Sequence, residues 1–221
     1  MKKITLVETI SDWLMSDNAG DAKGQYHPEI IKQHLNDVFN QAVYQTYLDG
    51  KKNSNFAQLD AWSRNYPVAV VGQMGAKAHA FLPFAPIGLP DGQGIQAIYD
   101  HDNLDVMFAP IESDAQVIFR ELEVDTFDTT PMYTLEQNSL AAGAGEASHL
   151  LRFEKLPVAP ATLITTVDIM MIVSLENLDD FDDVAMPSSA EDSLIRQVID
   201  IMSKKPKSDT LNDQNNQIPI Q

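Results

Sequence analysis

The chain has 221 residues, 44% of them hydrophobic and 21% charged, with 32 acids against 15 bases and a formal net charge of −17. That length and composition suffice for a globular core and exclude wholesale disorder, while the lack of a basic stripe excludes a free nucleic-acid binder. With no cysteine in the sequence, disulfides, thiolate nucleophiles and cysteine metal sites are excluded too.

The opening MKKITLVETISDWLM meets Glu8 and Asp12 before any signal-like apolar run develops. No run of about 18 apolar residues appears anywhere, so a membrane span is not expected and a soluble protein made in the cytoplasm is. Residues 4 to 17 read as an amphipathic helix with Leu6, Val7, Ile10, Trp13 and Leu14 on one side. The loop NAGDAKGQY ends it. A second helix is marked by His27 before Pro28 at the first helical position, Glu29 in the first turn and Gly50 past the end. Its apolar face runs Ile31, Leu35, Val38, Phe39, Ala42, Val43 and Tyr47; Lys32, Gln33, Asn36, Asp37, Asn40, Gln41 and Gln45 form the other. Two helices joined by a short polar loop are expected to pair as an antiparallel hairpin. A further short helix is expected from about Phe56 to Ser63.

From Pro67 the pattern changes to short apolar or alternating runs separated by Gly, Pro and Asp: PVAVVG, KAHAFL, IQAIY, LDVMFA, QVIFRELEV and HLLRFEKL. The longest strand candidate is Ala161 to Ser174, with Leu163, Val167, Ile169, Met171 and Val173 on one face and Thr162, Thr166 and Asp168 on the other. Met170 and Ile172 make its second half apolar on both faces, which predicts a central strand. No strand–helix–strand alternation appears, so a doubly wound sheet is not expected.

Ser188, Ser189, Glu191 and Asp192 start a last helix, on which Leu194, Ile195, Val198, Ile201 and Met202 make one apolar stripe. Lys204 and Lys205 fall in its final turn and Pro206 stops it. With Lys207 they form the chain's basic cluster. The remaining SDTLNDQNNQIPIQ carries only Leu211, Ile218 and Ile220 as large apolar groups, too few to offset its ordering entropy without a partner. The expected class is α+β: a helical region at 1–65, a β-rich region at 66–187 of mostly antiparallel strands, and a terminal helix with an extended arm at 188–221.

No residue set specifies a reaction, and no catalytic residue, metal ligand or cofactor site is assigned. His27 and His34 stand about 10.5 Å apart along the helix axis, too far to share one ion unaided. His79, His101 and His149 have no ligand spacing. Asp100, Asp102, Asn103 and Asp105 resemble a calcium loop, but Leu104 fills the fifth position, Asp105 replaces the required Gly and Ile111 the terminal Glu. They read as a solvated turn between two strands. Asp179, Asp180, Asp182 and Asp183 around Phe181 read as a solvated connection, with binding of a basic partner patch as the alternative. AAGAGEASHL at 141–150 lacks the third Gly of a dinucleotide loop and the Lys of a phosphate loop, so it reads as a flexible loop.

The loop FLPFAPIGLPDGQG at 81–94 interleaves Phe81, Phe84, Ile87 and Leu89 with three prolines. It is either a long hairpin tucked over the core or a stiff contact for a neighbouring subunit, since stiffness lowers the ordering cost of binding.

The opening helices ETISDWL and YHPEIIKQHLNDVFNQAVYQTYL, the β region closing in LPVAPATLITTVDIMMI, and the terminal SLIRQVIDIMSKKPKSDTLNDQNNQ together resemble virion structural proteins of tailed bacteriophages, in particular ring proteins between portal and tail in the crAss-like group. The resemblance implies a virion subunit assembled in the host bacterial cytoplasm. Its partners would be copies of itself in a cyclic ring and neighbouring portal, ring or tail proteins, with DNA only as passing cargo, and no membrane. A heterologous interface closes into such a ring when its rotation closes, and an acidic surface can line a DNA conduit because repulsion prevents sticking. The expected interface residues are Phe81, Phe84, Ile87, Leu89, Leu194, Ile195, Val198, Met202, Leu211, Ile218 and Ile220; alternatively, the terminal helix packs on its own domain. A capsid-decorating or accessory virion protein and a carboxylate-dependent hydrolase are the competing functions. The hydrolase would need two acids about 5 to 10 Å apart in a cleft.

Overall fold

A computed structural model describes residues 1–17, 27–72, 78–92, 94–111, 131–137, 149–154, 156 and 163–203. They form an α+β fold with a helix near each end and strands between. Helix α1 spans Lys3–Asp17, α2 Pro28–Asn53 and α3 Ser188–Ser203. The strands are β1 Arg64–Ala69, β2 His79–Phe81, β3 Ile95–Asp100, β4 Ala109–Pro110, β5 Met132–Gln137, β6 His149–Glu154 and β7 Thr166–Met171.

Helix α2 begins as its sequence dictates. His27 is extended, its Nδ1 accepts the Glu29 N–H at 3.3 Å, and Pro28 follows where no amide proton is needed. Its end lies further on than the glycine suggests. Gly50 is inside the helix and buried, and the chain reverses only at Ser54, in the left-handed conformation at φ 51°. Phe56 then stacks on Tyr47 at 5.8 Å and Trp62 meets Phe39 edge-on at 5.4 Å. With both aromatics tied back to α2, the expected helix at 56–63 shrinks to one 3-10 turn, Asp60–Trp62.

Among the described residues three helices form the helical layer: α1 packs on α2, and α3 packs on both. Leu6, Val7, Ile10 and Leu14 of α1 are buried with Ile31, Leu35, Val38, Phe39, Val43 and Tyr47 of α2 and with Leu194, Ile195 and Val198 of α3. Trp13, expected on the buried side of α1, is 58% exposed. It lies three residues past Ile10 but on the flank of the stripe.

One sheet has the order β1–β7–β3, antiparallel throughout. β7 is central, as its two apolar faces predict: Val167, Ile169 and Met171 are fully buried on one face. It starts later than expected, at Thr166, and Leu163 is exposed. β1 is an edge strand. Val70 donates towards Thr165 and Val71 towards His79, so amides at odd positions point away from β7 and Pro67 loses no bond to it. The second sheet has the order β2–β6–β5–β4, antiparallel except for the two-residue β4–β5 pair. A Val71–His79 bridge joins the two sheets.

The run LDVMFA contributes only Ala109 to a strand, while Val106 and Phe108 hydrogen-bond to β3. β5 was not anticipated, because MYTLEQ carries too few large apolar residues to stand out. The runs QVIFRELEV and AAGAGEAS and the residues from Lys204 onward lie outside the described residues. One apolar cluster joins the helices to both sheets.

Candidate functional site

The proline-interrupted loop behaves as part of the core's cover. Leu82 and Leu89 are buried, and Phe84 and Ile87 pack partly buried against the core, Phe84 edge-on to Tyr66 at 5.5 Å. Backbone pairing holds the loop down. Ile87 N–H donates to Ile172 O at 2.8 Å, Ile172 N–H to Gly94 O at 2.9 Å, and Pro86 bridges Val173. A Cβ on Gly94 would overlap the Ile87 carbonyl oxygen, so this close return requires glycine. Of the four expected contacts only Phe81, 44% exposed on β2, presents its ring to solvent. Leu89 is corrected to a core residue.

Much of the stripe of α3 is likewise spent within the chain. Leu194, Ile195 and Val198 are buried against α1 and α2, and Met202 is half-buried on the same cluster. Leu194 and Val198 are corrected from candidate contacts for a neighbour to anchors of α3 on its own core, while Ile195 also borders an open groove and Ile201 of the same stripe is 43% exposed. Leu211, Ile218 and Ile220 lie outside the described residues.

The acidic run around Phe181 finds its basic partners at the chain's own start. Backbone carbonyls of Asp182 and Asp180 accept the N–H groups of Lys3 and Ile4 at 3.1 and 2.8 Å, taking two of the donors that the first turn of α1 leaves open. Lys3 Nζ, buried, donates to Leu178 O at 2.7 Å and lies 4.0 Å from Asp180. Lys32 Nζ reaches Asp180 at 2.8 Å and Glu29 at 3.1 Å; the bonds to Asp180 and then Glu29 raise its pKa. Asn36 and Asn40 of α2 hold Ser174 Oγ at 2.8 and 3.2 Å. Lys32, Asn36 and Asn40 on the polar face of α2 therefore form a docking strip for residues 174–180.

The expected turn at Asp100–Asp105 is present. Asp100 and Asn103 side chains accept the N–H groups of Asp102 and Asp105, and Tyr99 bridges Met107. His101 leaves this turn to meet Asp168 of β7, Nδ1 to Oδ1 at 3.1 Å. That hydrogen bond, and next the carboxylate's charge, raise the His101 pKa. His79 and His149 sit in the other sheet, opposite Arg152 and Gln137. Among the described residues no group of three or more His, Asp or Glu side chains could hold a metal ion, and no helix is long and apolar enough to cross a membrane.

The feature that sequence reasoning missed is a groove between α1 and α3, about 510 Å³, lined by Thr9 and Trp13 on one side and Asp192, Ile195, Arg196, Ile199 and Asp200 on the other. Asp192, Arg196 and Asp200 follow each other at four-residue spacing along its rim. Trp13 offers an exposed indole beside Ile199. No protein-family model matches the chain, and no curated protein matches its sequence.

Proposed function

We propose that this chain is a structural subunit of a phage virion, a ring or connector protein of the portal–tail assembly that forms part of the DNA conduit. The observation that carries the reading is the placement of α3. Leu194, Ile195 and Val198 lock it into the chain's own core, and it ends at an exposed Ser203. The polar segment 204–221, with three large apolar residues among eighteen, therefore starts from a rigid surface point. A tethered segment of that kind adds contacts to a neighbour at high effective concentration. The resemblance to ring proteins of crAss-like phages supports the same reading, and the net charge of −17 suits a wall past which DNA slides. Copies of the chain in a cyclic ring and adjacent portal or tail proteins are then its partners.

Native mass spectrometry of the purified chain, beside a version cut after Ser203, tests this. A closed ring of many copies that disperses into folded monomers on truncation is the expected result. Monomers from the full chain, both isolated and extracted from particles, would reject the ring.

A further inference from the structure

We infer that the α1–α3 groove receives residues 204–221 of a neighbouring copy, an inference that rests on the ring assignment proposed above. The groove has apolar walls in Trp13, Ile195 and Ile199 and is acidic along α3, where Asp192 and Asp200 flank Arg196. Exposed Glu8 and Asp12 add negative charge on the α1 side. The segment that leaves α3 has the complementary order: Lys204, Lys205 and Lys207 first, then Leu211. Eight residues of α3 separate the two rim acids, about 12 Å along the axis. Lys207 and Leu211 span about 13 Å when extended. A lysine paired with Asp192 thus sets the leucine level with Asp200 and its neighbour Ile199 on the groove wall.

The geometry points to a second copy over the same chain. Asp200 is within one turn of Ser203, so filling its own groove would require the segment to turn back along the helix it leaves. Eighteen residues reach at most about 60 Å, against a radius of gyration of roughly 17 Å for a chain of this length. An adjacent molecule's groove is well within range.

The absence of cysteine makes engineered cross-linking unambiguous. Full-length Arg196→Cys and Leu211→Cys chains are mixed and oxidised, in parallel with the double variant, and read on a non-reducing denaturing gel. The expected result is a linked heterodimer from the mixture and a ladder of linked chains from the double variant. Disulfides closed within single chains would overturn docking between copies and assign the groove to the chain's own end. No link in a preparation that native mass spectrometry shows as a ring would overturn the groove and leave the ring assignment standing. Unlinked monomers would remove both. Trp13→Ala, at an exposed position that leaves the fold intact, is expected to weaken association about 30-fold, as loss of an interface hot spot does; unchanged association would overturn the inference.

Discussion

Gly50 shows how a single residue can mislead when read for backbone freedom alone. It is helical, and its role is to let the returning chain approach: an added Cβ would stand 2.8 Å from Asn55 O and 2.9 Å from Phe56 Cδ1. In an open mid-helix site, Gly→Ala stabilises by up to about 1 kcal/mol. Here Gly50→Ala is expected to destabilise by about 1–3 kcal/mol through overpacking, so the sign of the shift in a urea midpoint decides. His101 makes a second prediction. Its pKa is raised above the ordinary 6.5 by the hydrogen bond to Asp168. The stabilisation from this pair is therefore fully present below that ordinary value and is lost as pH rises through the raised one. A thermal-melt series across that window should slope downward for the native chain and flatten for His101→Gln; parallel curves would show that the pair contributes nothing.

At the scale of elements, residues 178–203 are bound to the chain's first helix. The segment Leu178–Val184 caps α1 with carbonyls, and α3 closes the helical layer over α1 and α2. Leu194 is buried within the single chain, so Leu194→Ala should cost the isolated monomer about 2–5 kcal/mol in denaturant titration. Ile201→Ala, at an exposed position on the same helix, should stay within about 0.5 kcal/mol. Equal and small effects would mean that α3 does not pack on its own domain. The helices were legible because their apolar periodicity is set by local geometry. β5 and the short β4 were not, since their burial is supplied by neighbours distant in sequence.

For the whole molecule, charge governs what it repels. With 32 acids against 15 bases, repulsion between the net negative chain and phosphate outweighs the attraction its cations supply. The purified chain should leave a linear DNA duplex unshifted in a gel assay even at roughly 50 mM salt, where counterion release favours binding most. A retarded duplex would contradict a conduit wall that lets DNA pass.

The amino-acid sequence by itself determined the α+β class, helices α1, α2 and α3, the central position of β7 and the turn at Asp100–Asp105. Each follows from spacing, capping and turn chemistry that act within a few residues. Tertiary structure alone decided which apolar surfaces are spent and which remain. Leu194 and Val198 of α3 and Leu89 of the proline loop look like interface material in one dimension, yet all three lie in the chain's own core. Trp13 looks like core and lines an open groove. Hydrophobic pattern reports that a face must be covered, because water exacts the same cost wherever the cover comes from. It cannot report whether the cover is the same chain or another.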